Sequence, residues 1–235
     1  MSGRTVGVIG GMGPAATVEF AARVQALTPA ARDQDHLRLI IDCNPEVPDR
    51  NAAVAGEGPS PGPILADMAR GLERAGAQLL VMPCNAAHAF ADSVRAATGL
   101  PFIDLIETAC DAALSAGPRT VGVLAADGCL NAGLYQRALA ARRVEAVVCR
   151  PERQAAFMQL LYRIKAGDRS GAVRRQMRDL ANDLVDRGAS VLLGGCTEVP
   201  LVLTADDVEA PLIDSLEALA RKTVAVATAP VEASE

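Results

Sequence analysis

The sequence predicts an α/β protein built from two similar domains, each an open parallel sheet covered by helices on both faces. Short apolar runs alternate with longer helical patterns along all 235 residues, which is typical of βαβ units. Three segments of the first half also return in the second half, at offsets of about 110–115 residues. The paired segments are Arg4–Gly13 with Arg119–Gly128, Gly76–Cys84 with Gly188–Cys196, and Pro101–Glu107 with Pro211–Glu217. A duplicated fold of this kind usually packs its halves about a pseudo-two-fold axis, so we expect an active site in the cleft between them.

The elements follow one another in the same order in both halves. In the first half we predict strands at 5–9, 37–42, 78–82 and 101–103, and helices at 14–27, 63–75, 86–97 and 104–115. In the second half we predict strands at 120–124, 144–148, 190–193 and 211–213, and helices at 131–141, 152–166, 170–186 and 214–227. Parallel strands need crossover helices, so each sheet should be covered on both faces.

Two stretches bear on domain organisation. Residues 43–63 hold five prolines and three glycines and predict an irregular excursion, either a lid over a binding site or a mobile surface loop. The last strand–helix pair repeats an earlier one, and its helix could pack on either domain. We predict that it returns to the first, which gives one domain of 1–115 plus 209–235 and a second of 116–208.

Composition narrows the classes of partner. The formal charge of −5, with arginines scattered along helical stretches, argues against nucleic-acid binding. No apolar run reaches the ~18 residues of a membrane span, and the N-terminal sequence lacks the pattern of a signal peptide. We therefore expect a cytoplasmic protein. Six cysteines without a C-x-x-C pair, and only two histidines, predict reduced thiols and no metal site.

Cys84 and Cys196 occupy equivalent positions in the repeat, each after an apolar strand and before a predicted helix. Ligands of open parallel sheets bind beyond the carboxyl ends of the strands, and a helix N-terminus favours a thiolate. A single cysteine is more often an inert buried residue, but an equivalent pair points to a shared role. Thiols on opposite sides of a substrate can remove a proton from one face and return it on the other, as in a racemase.

Other patterns leave alternatives open. Gly11-x-Gly13-x-x-Ala16 matches the dinucleotide fingerprint and would favour an NAD enzyme, although its backbone amides could equally hold a carboxylate. His88 lies four residues after Cys84, which suggests either a Cys–His nucleophile pair or a packed histidine in the first helical turn. Glu198 either caps a helix start or supports a thiol or an imidazole.

These residues together resemble the aspartate/glutamate racemase family, the cofactor-independent amino-acid racemases, over essentially the whole chain. The resemblance rests on Gly10–Pro14 with Ala16 and Thr17, Asp33–His36, Pro48–Arg50, Pro83–Asn85 with Ala87 and His88, Gly133–Tyr135, Ile164 with Lys165, and Gly195–Glu198. It implies two α/β domains with the active site between them, an isomerase without a cofactor, and a homodimer.

The resemblance also implies roles for individual residues. Cys84 and Cys196 match the acid/base pair of the family. Seven residues are expected to bind the substrate, through their side chains or through backbone amides at the helix starts. They are Met12, Gly13, Arg50, Asn85, Ala86, Lys165 and Thr197. Arg50 and Lys165 match the cations that aspartate-specific members use for carboxylate recognition. His88 and Glu198 are expected to support the cysteines.

Three positions depart from the family pattern, because Ala86, Ala126 and Cys129 stand where the family usually carries threonine. The pocket is therefore expected to be looser or to take a different substrate. We expect racemisation of aspartate first and of glutamate second. The rivals are a maleate isomerase, hydantoin racemase or arylmalonate decarboxylase of the same fold, and a non-catalytic small-molecule binding protein.

Overall fold

The computed structural model of the chain describes residues 3–115 and 117–230. Its strands form two four-stranded parallel sheets of identical topology. The first sheet has the order β2-β1-β3-β4, with β1 Val6–Gly10, β2 Leu39–Cys43, β3 Leu79–Val81 and β4 Phe102–Ile103. The second has the order β6-β5-β7-β8, with β5 Thr120–Ala125, β6 Glu145–Val148, β7 Val191–Gly195 and β8 Leu212–Asp214. The predicted fold class is confirmed.

Helices connect the strands of both sheets. In the first half they are α1 Pro14–Leu27, α2 Arg50–Ala55, α3 Gly62–Arg74, α4 Ala91–Ala97 and α5 Leu105–Leu114. In the second half they are α6 Asp127–Asn131, α7 Leu134–Ala141, α8 Pro151–Lys165, α9 Gly171–Asp186 and α10 Ser215–Thr228. Short 3₁₀ turns occupy Asp33–Asp35, Ala86–Phe90, Val199–Leu201 and Ala205–Asp207.

The structure corrects the sequence prediction at three places. The excursion at 43–63 contains the short helix α2, and α6 precedes the helix that was expected from 131. The predicted helix 86–97 is instead a 3₁₀ turn followed by α4. In a regular helix the carbonyl of Cys84 would accept from the backbone N–H of His88. Here it accepts from Nδ1 of the His88 ring, and the backbone N–H of His88 donates to the carbonyl of Asn85 instead. The other ring nitrogen of His88 accepts from the backbone N–H of Leu105.

The two sheets share one apolar core. Alternate residues of a strand point to opposite faces of its sheet, and those on the inner faces, such as Val8 and Val123, pack in the same cluster as α5 and α10. The outer face of each sheet has a core of its own. The halves are therefore joined by a continuous apolar layer as well as by their loops.

The C-terminal elements lie at the junction of the halves. Strand β8 pairs with β7 in the second sheet, whereas α10 packs on α1 and α5 of the first half. The boundaries 1–115 plus 209–235 and 116–208 stay a prediction, and residues 1, 2, 116 and 231–235 of them lie outside the described part of the chain. Within that part, no helix is long and apolar enough to cross a membrane.

Candidate active site

The loops beyond the carboxyl ends of β3 and β7 carry Cys84 and Cys196, respectively. Both cysteines are buried, and both line one small cavity between the halves, with a volume of about 30 Å³. The two sulfur-bearing residues of the repeat therefore meet at one small cavity.

Most of the predicted site residues line this cavity. They are Met12, Arg50, Cys84, Asn85, Ala86, Lys165, Cys196, Thr197 and Glu198. Gly13, which precedes α1, and His88 are not among the lining residues. The lining also includes Asn51, Ala126 and Gly195. Ala126 is one of the departures from the family pattern and Gly195 belongs to the Gly195–Glu198 motif, whereas Asn51 is only the neighbour of a predicted residue.

His88 lies behind Cys84 and not beside its sulfur. Its Nε2 accepts a hydrogen bond from the backbone N–H of Leu105 at 3.0 Å, so Nδ1 carries the ring proton and donates it to the carbonyl of Cys84 at 2.8 Å. Burial lowers the pKa of His88, which keeps the ring neutral. The imidazole thus ties the backbone of Cys84 to the start of α5.

Cys196 has an acidic neighbour. Its thiol donates to Oε2 of Glu198 at 2.9 Å, and the hydroxyl of Thr197 donates to the same oxygen at 3.2 Å. All three residues are at most 8% exposed. Since β7 ends at Gly195, the turn that follows it brings the thiol and the carboxylate together.

Two cations reach the cavity from opposite halves. Arg50, the first residue of α2, donates from Nη1 to the carbonyls of Val47 and Pro48, while its buried Nε has no partner within the described residues. Lys165 is the last residue of α8 and is exposed. The cavity is therefore flanked by two positive charges, one of which retains an unused donor.

Helix α2 is docked on the second half. The side chain of Asn51 accepts a hydrogen bond from the backbone N–H of Gly128 at 2.8 Å. A Cβ at position 128 would lie 2.7 Å from Oδ1 and 3.1 Å from Cα of Asn51, so only glycine permits this approach. The contact fixes Arg50 next to the cavity.

The electrostatic surroundings of the two thiols differ. Burial raises the pKa of the Cys84 thiol and so does the charge of Glu198, whereas the positive charges of Arg50 and Lys165 and a hydrogen bond from the Ala87 amide oppose that rise. Burial also raises the pKa of Cys196, and the charge and hydrogen bond of Glu198 raise it further, with Lys165 opposing them. Of the two, Cys84 thus has the surroundings that better stabilise a thiolate.

The glycine run after β1 has a packing role. Gly11 has a φ of +94°, and a Cβ there would lie 2.3 Å from the backbone of Asn44. Its N–H donates to the hydroxyl of Thr17 at 2.9 Å, so this amide is already engaged within the protein. Close packing of the loop therefore accounts for Gly11 without a dinucleotide.

Of the positions that depart from the family pattern, Ala86 and Ala126 line the cavity, whereas Cys129 is fully buried in the shared core. Two methyl groups therefore line the cavity at positions where the resemblance predicts hydroxyls.

Within residues 3–115 and 117–230, no group of three or more His, Cys, Asp or Glu side chains could hold a metal ion.

Comparison with known proteins decides the family. The sequence profile of the Asp/Glu/Hydantoin racemase family matches residues 9–223. The chain belongs to this family. The match spans both halves of the structure and both cysteine motifs.

Racemases from other organisms are similar to this protein over nearly its full length. A broad specificity amino-acid racemase of Bacillus subtilis is 27% identical over 225 residues, which covers 93% of this chain and 96% of the relative. The structure of Picrophilus torridus aspartate racemase superimposes with a TM-score of 0.84 at 29% identity and covers 95% of each chain. A glutamate racemase of Bacillus anthracis shares the fold, with a TM-score of 0.68 at 20% identity over 96% of this chain and 81% of that one. These matches support an amino-acid racemase, a type of isomerase.

Proposed function

We propose that the protein racemises an acidic amino acid, aspartate first and glutamate second, by proton transfer between Cys84 and Cys196 and without a cofactor. The observation that carries this proposal is the shared cavity, in which both thiols lie beside Arg50 and Lys165. One sulfur removes the α-proton from one face of the substrate, and the other returns a proton to the opposite face. The two directions of the reaction use the cysteines in opposite order.

The surroundings of the thiols favour one assignment of the reactive state. We assign the thiolate to Cys84, because the positive charge of Arg50 opposes the rise that burial causes in the pKa of its thiol, and we assign the thiol to Cys196, which donates to Glu198. The thiolate takes the α-proton and becomes a thiol, while Cys196 gives up its proton to the carbanion and becomes a thiolate.

The carbanion needs electrostatic stabilisation, because the α-proton of an amino acid is a very weak acid. We assign carboxylate recognition to Arg50 and Lys165, with Asn85 and Thr197 beside the thiols and the backbone amides at Met12, Gly13 and Ala86 in support. The unpartnered Nε of Arg50 is a donor that a substrate carboxylate would satisfy. A charge-assisted bond of this kind contributes about 1.5–3 kcal/mol.

The site must widen before a substrate can bind, because the cavity of about 30 Å³ is far smaller than an amino acid. We propose that segment 43–63 acts as the lid, with α2 docking on α6 through Asn51 and Gly128. Closure would exclude water and strengthen the charges around the substrate.

We propose that the protein works as a homodimer in the cytoplasm. None of its six cysteines, all within the described residues, forms a disulfide, which suits a reducing compartment. Val18 on α1 and Ile41 on the edge strand β2 are exposed apolar side chains, at 68% and 41%, and we place the contact with a second copy there. Sedimentation of the protein and of a Val18→Glu variant tests this assembly.

A broader substrate range is the second candidate. Ala86 and Ala126 add apolar side chains to the lining of the cavity, and the Bacillus subtilis relative is a broad specificity amino-acid racemase. Neutral amino acids could then be accepted alongside aspartate.

The experiment is a substrate panel in deuterium oxide. L- and D-aspartate, glutamate, alanine and leucine, together with maleate and a hydantoin, are incubated with the enzyme, and α-deuteration and optical inversion are followed. The proposal predicts deuteration with inversion, greatest for aspartate and unaffected by added pyridoxal phosphate or NAD. The double variant Cys84→Ala/Cys196→Ala controls for contaminating enzymes. Binding without deuteration would leave only a binding protein, and turnover of maleate or hydantoin alone would move the assignment to those reactions.

A further inference from the structure

A buried chain of hydrogen bonds holds the side chain of Asn85, the residue after the first cysteine. The phenol of Tyr135, from α7 in the second half, bonds to Oδ1 of Asn85 at 2.5 Å. Nδ2 of Asn85 donates to the hydroxyl of Ser215 at 3.3 Å, and that hydroxyl donates to the carbonyl of Gly194 at 2.7 Å. Tyr135 and Ser215 are fully buried, and Asn85 is 4% exposed.

The carbonyl at one end determines the direction of every bond in this chain. A carbonyl oxygen can only accept, so the Ser215 hydroxyl must donate its single hydrogen to Gly194 and accept from its other neighbour. That neighbour is Nδ2 of Asn85, so the opposite side of the amide, Oδ1, accepts from the phenol of Tyr135. The amide of Asn85 therefore has one allowed orientation, and its second N–H is left without a protein partner among the described residues.

Tyr135 also touches the other half of the site. A Cβ on Gly195, the residue before Cys196, would lie 2.6 Å from Cε2 of Tyr135, so glycine leaves room for the ring. Burial raises the pKa of the phenol, which keeps it protonated and able to donate. The side chain of Tyr135 thus contacts both Gly195, which precedes Cys196, and Asn85, which follows Cys84.

We propose that Tyr135 is a positioning residue that, with Ser215, holds the amide of Asn85 so that its remaining N–H points to the carboxylate of the substrate. This inference rests on the proposed racemase function. If the phenol is removed, Oδ1 loses its donor and the amide can turn over, which would direct an oxygen at the anion. The contact matters most when negative charge develops on the carboxylate, so its loss should lower kcat more than it raises KM.

The first test is a kinetic cycle with Tyr135→Phe, Asn85→Ala and the double variant. On the wild-type background, Tyr135→Phe should lower kcat/KM for aspartate by about 10–100-fold, mostly in kcat. On the Asn85→Ala background, it should have no further effect, because its route of action is gone. Tyr162→Phe is the matched control, since Tyr162 is the other tyrosine of the chain and is 55% exposed. Equal effects on both backgrounds, or an unchanged kcat in a folded variant, would overturn the proposal.

A second readout is independent of catalysis. The side-chain amide signal of Asn85 is identified in ¹⁵N NMR spectra by its absence from Asn85→Ala. In Tyr135→Phe and Ser215→Ala, this signal should shift and its hydrogens should exchange faster with solvent, whereas in Tyr162→Phe it should not change. An unaltered signal in Tyr135→Phe would refute the positioning role whatever the activity. If the signal responds but the wild type deuterates no amino acid, the racemase proposal fails and the orientation of Asn85 stands without its substrate.

Discussion

Cys84 in the first half and Cys196 in the second follow equivalent strands, yet the charge that most affects each thiol has the opposite sign. At Cys84 that charge is Arg50, and the backbone of this cysteine is held by a neutral histidine. Cys196 instead donates to the carboxylate of Glu198. Duplication accounts for two sulfurs at one cavity, and later divergence around them accounts for an unequal affinity for the proton. The pair is therefore equivalent in position and unequal in its electrostatic surroundings.

Removing one sulfur at a time should have the largest effect. Cys84→Ser and Cys196→Ser should each lower racemisation by about 10²–10⁴-fold, because each removes one of two acid/base groups. In deuterium oxide, each variant should retain at most the exchange of one enantiomer, and the enantiomer should differ between them. The measurement is α-deuteration of pure L- and D-substrate.

Cys43→Ser serves as the control for the cysteine variants, because Cys43 is exposed at the end of β2 and is not among the cavity-lining residues. It should behave as the wild type. If Cys84→Ser and Cys196→Ser lose exchange of the same enantiomer, or both racemise at the wild-type rate, the two-sided mechanism is wrong.

His88 has no equivalent in the second half, where Pro200 occupies its place, so its loss should weaken the first half alone. His88→Phe keeps an aromatic ring but leaves the Cys84 carbonyl and the Leu105 amide unpaired. Two such buried groups should lower the free energy of unfolding by about 2–4 kcal/mol at pH 8. Denaturant unfolding measures it.

The pH dependence of that loss provides the control. Because burial lowers the pKa of His88 below 6.5, this histidine binds a proton more readily in the unfolded chain than in the folded one. The free energy of unfolding of the wild type should therefore fall as pH drops below about 6.5. The difference in free energy of unfolding between the wild type and His88→Phe should become smaller there. His36→Gln should retain the wild-type trend. A difference that stays constant from pH 8 to pH 5 would contradict a neutral, buried His88.

Disrupting the contact between the halves at Asn51 and Gly128 should have an effect nearly as large as the loss of His88. Gly128→Ala places a methyl group 2.7 Å from Oδ1 of Asn51, which should displace α2 at a cost of about 1–3 kcal/mol. Since α2 begins with Arg50, we expect kcat/KM for aspartate to fall by roughly 5–100-fold, and to fall less for a neutral amino acid, which lacks the side-chain carboxylate. Gly99→Ala, where a Cβ meets nothing within 4 Å, is the matched control. Equal losses for aspartate and for the neutral amino acid would separate α2 from carboxylate recognition.

The same contact illustrates what sequence reasoning could reach. The strands and long helices were predictable because apolar runs alternate with helical patterns, and the repeat supported β1 with β5, β3 with β7 and β4 with β8 a second time. Helices α2 and α6 have six and five residues, too few for a periodic pattern, and they pack against each other across the halves. Their stability comes from tertiary packing, which no local sequence window contains.

For the site, the repeat identified both cysteines, and short motifs identified their flanking residues. Tyr135 and Ser215 could not be connected with Asn85 in the same way, because they lie 50 and 130 positions away in the chain. Gly133–Tyr135 supported the family resemblance without indicating a partner for the phenol. The residues that line the cavity were largely predictable, whereas the contacts that Tyr135 and Ser215 make with Asn85 depend on the packing of the two halves.

The smallest expected difference concerns the helices that follow β4 and β8. Asp104 caps α5 and Asp214 caps α10, and each carboxylate accepts two backbone N–H bonds in the first turn. Replacing either aspartate with alanine should cost about 1 kcal/mol, whereas asparagine retains the cap. Asparagine therefore isolates the charge of each aspartate from its role as a cap.

That charge has a different partner in each half. Arg95 beside Asp104 is 45% exposed, whereas Arg23, which bonds to Asp214 from α1, is only 19% exposed. Exposed ion pairs contribute little, so Asp104→Asn should be nearly neutral and Asp214→Asn should cost about 0.5–1 kcal/mol in denaturant unfolding. Equal costs for the two asparagine variants would mean that Arg23 adds nothing to the attachment of α10 to the first half. A larger cost at Asp214, abolished in an Arg23→Met background, would show that the pair contributes to joining the C-terminal helix to α1.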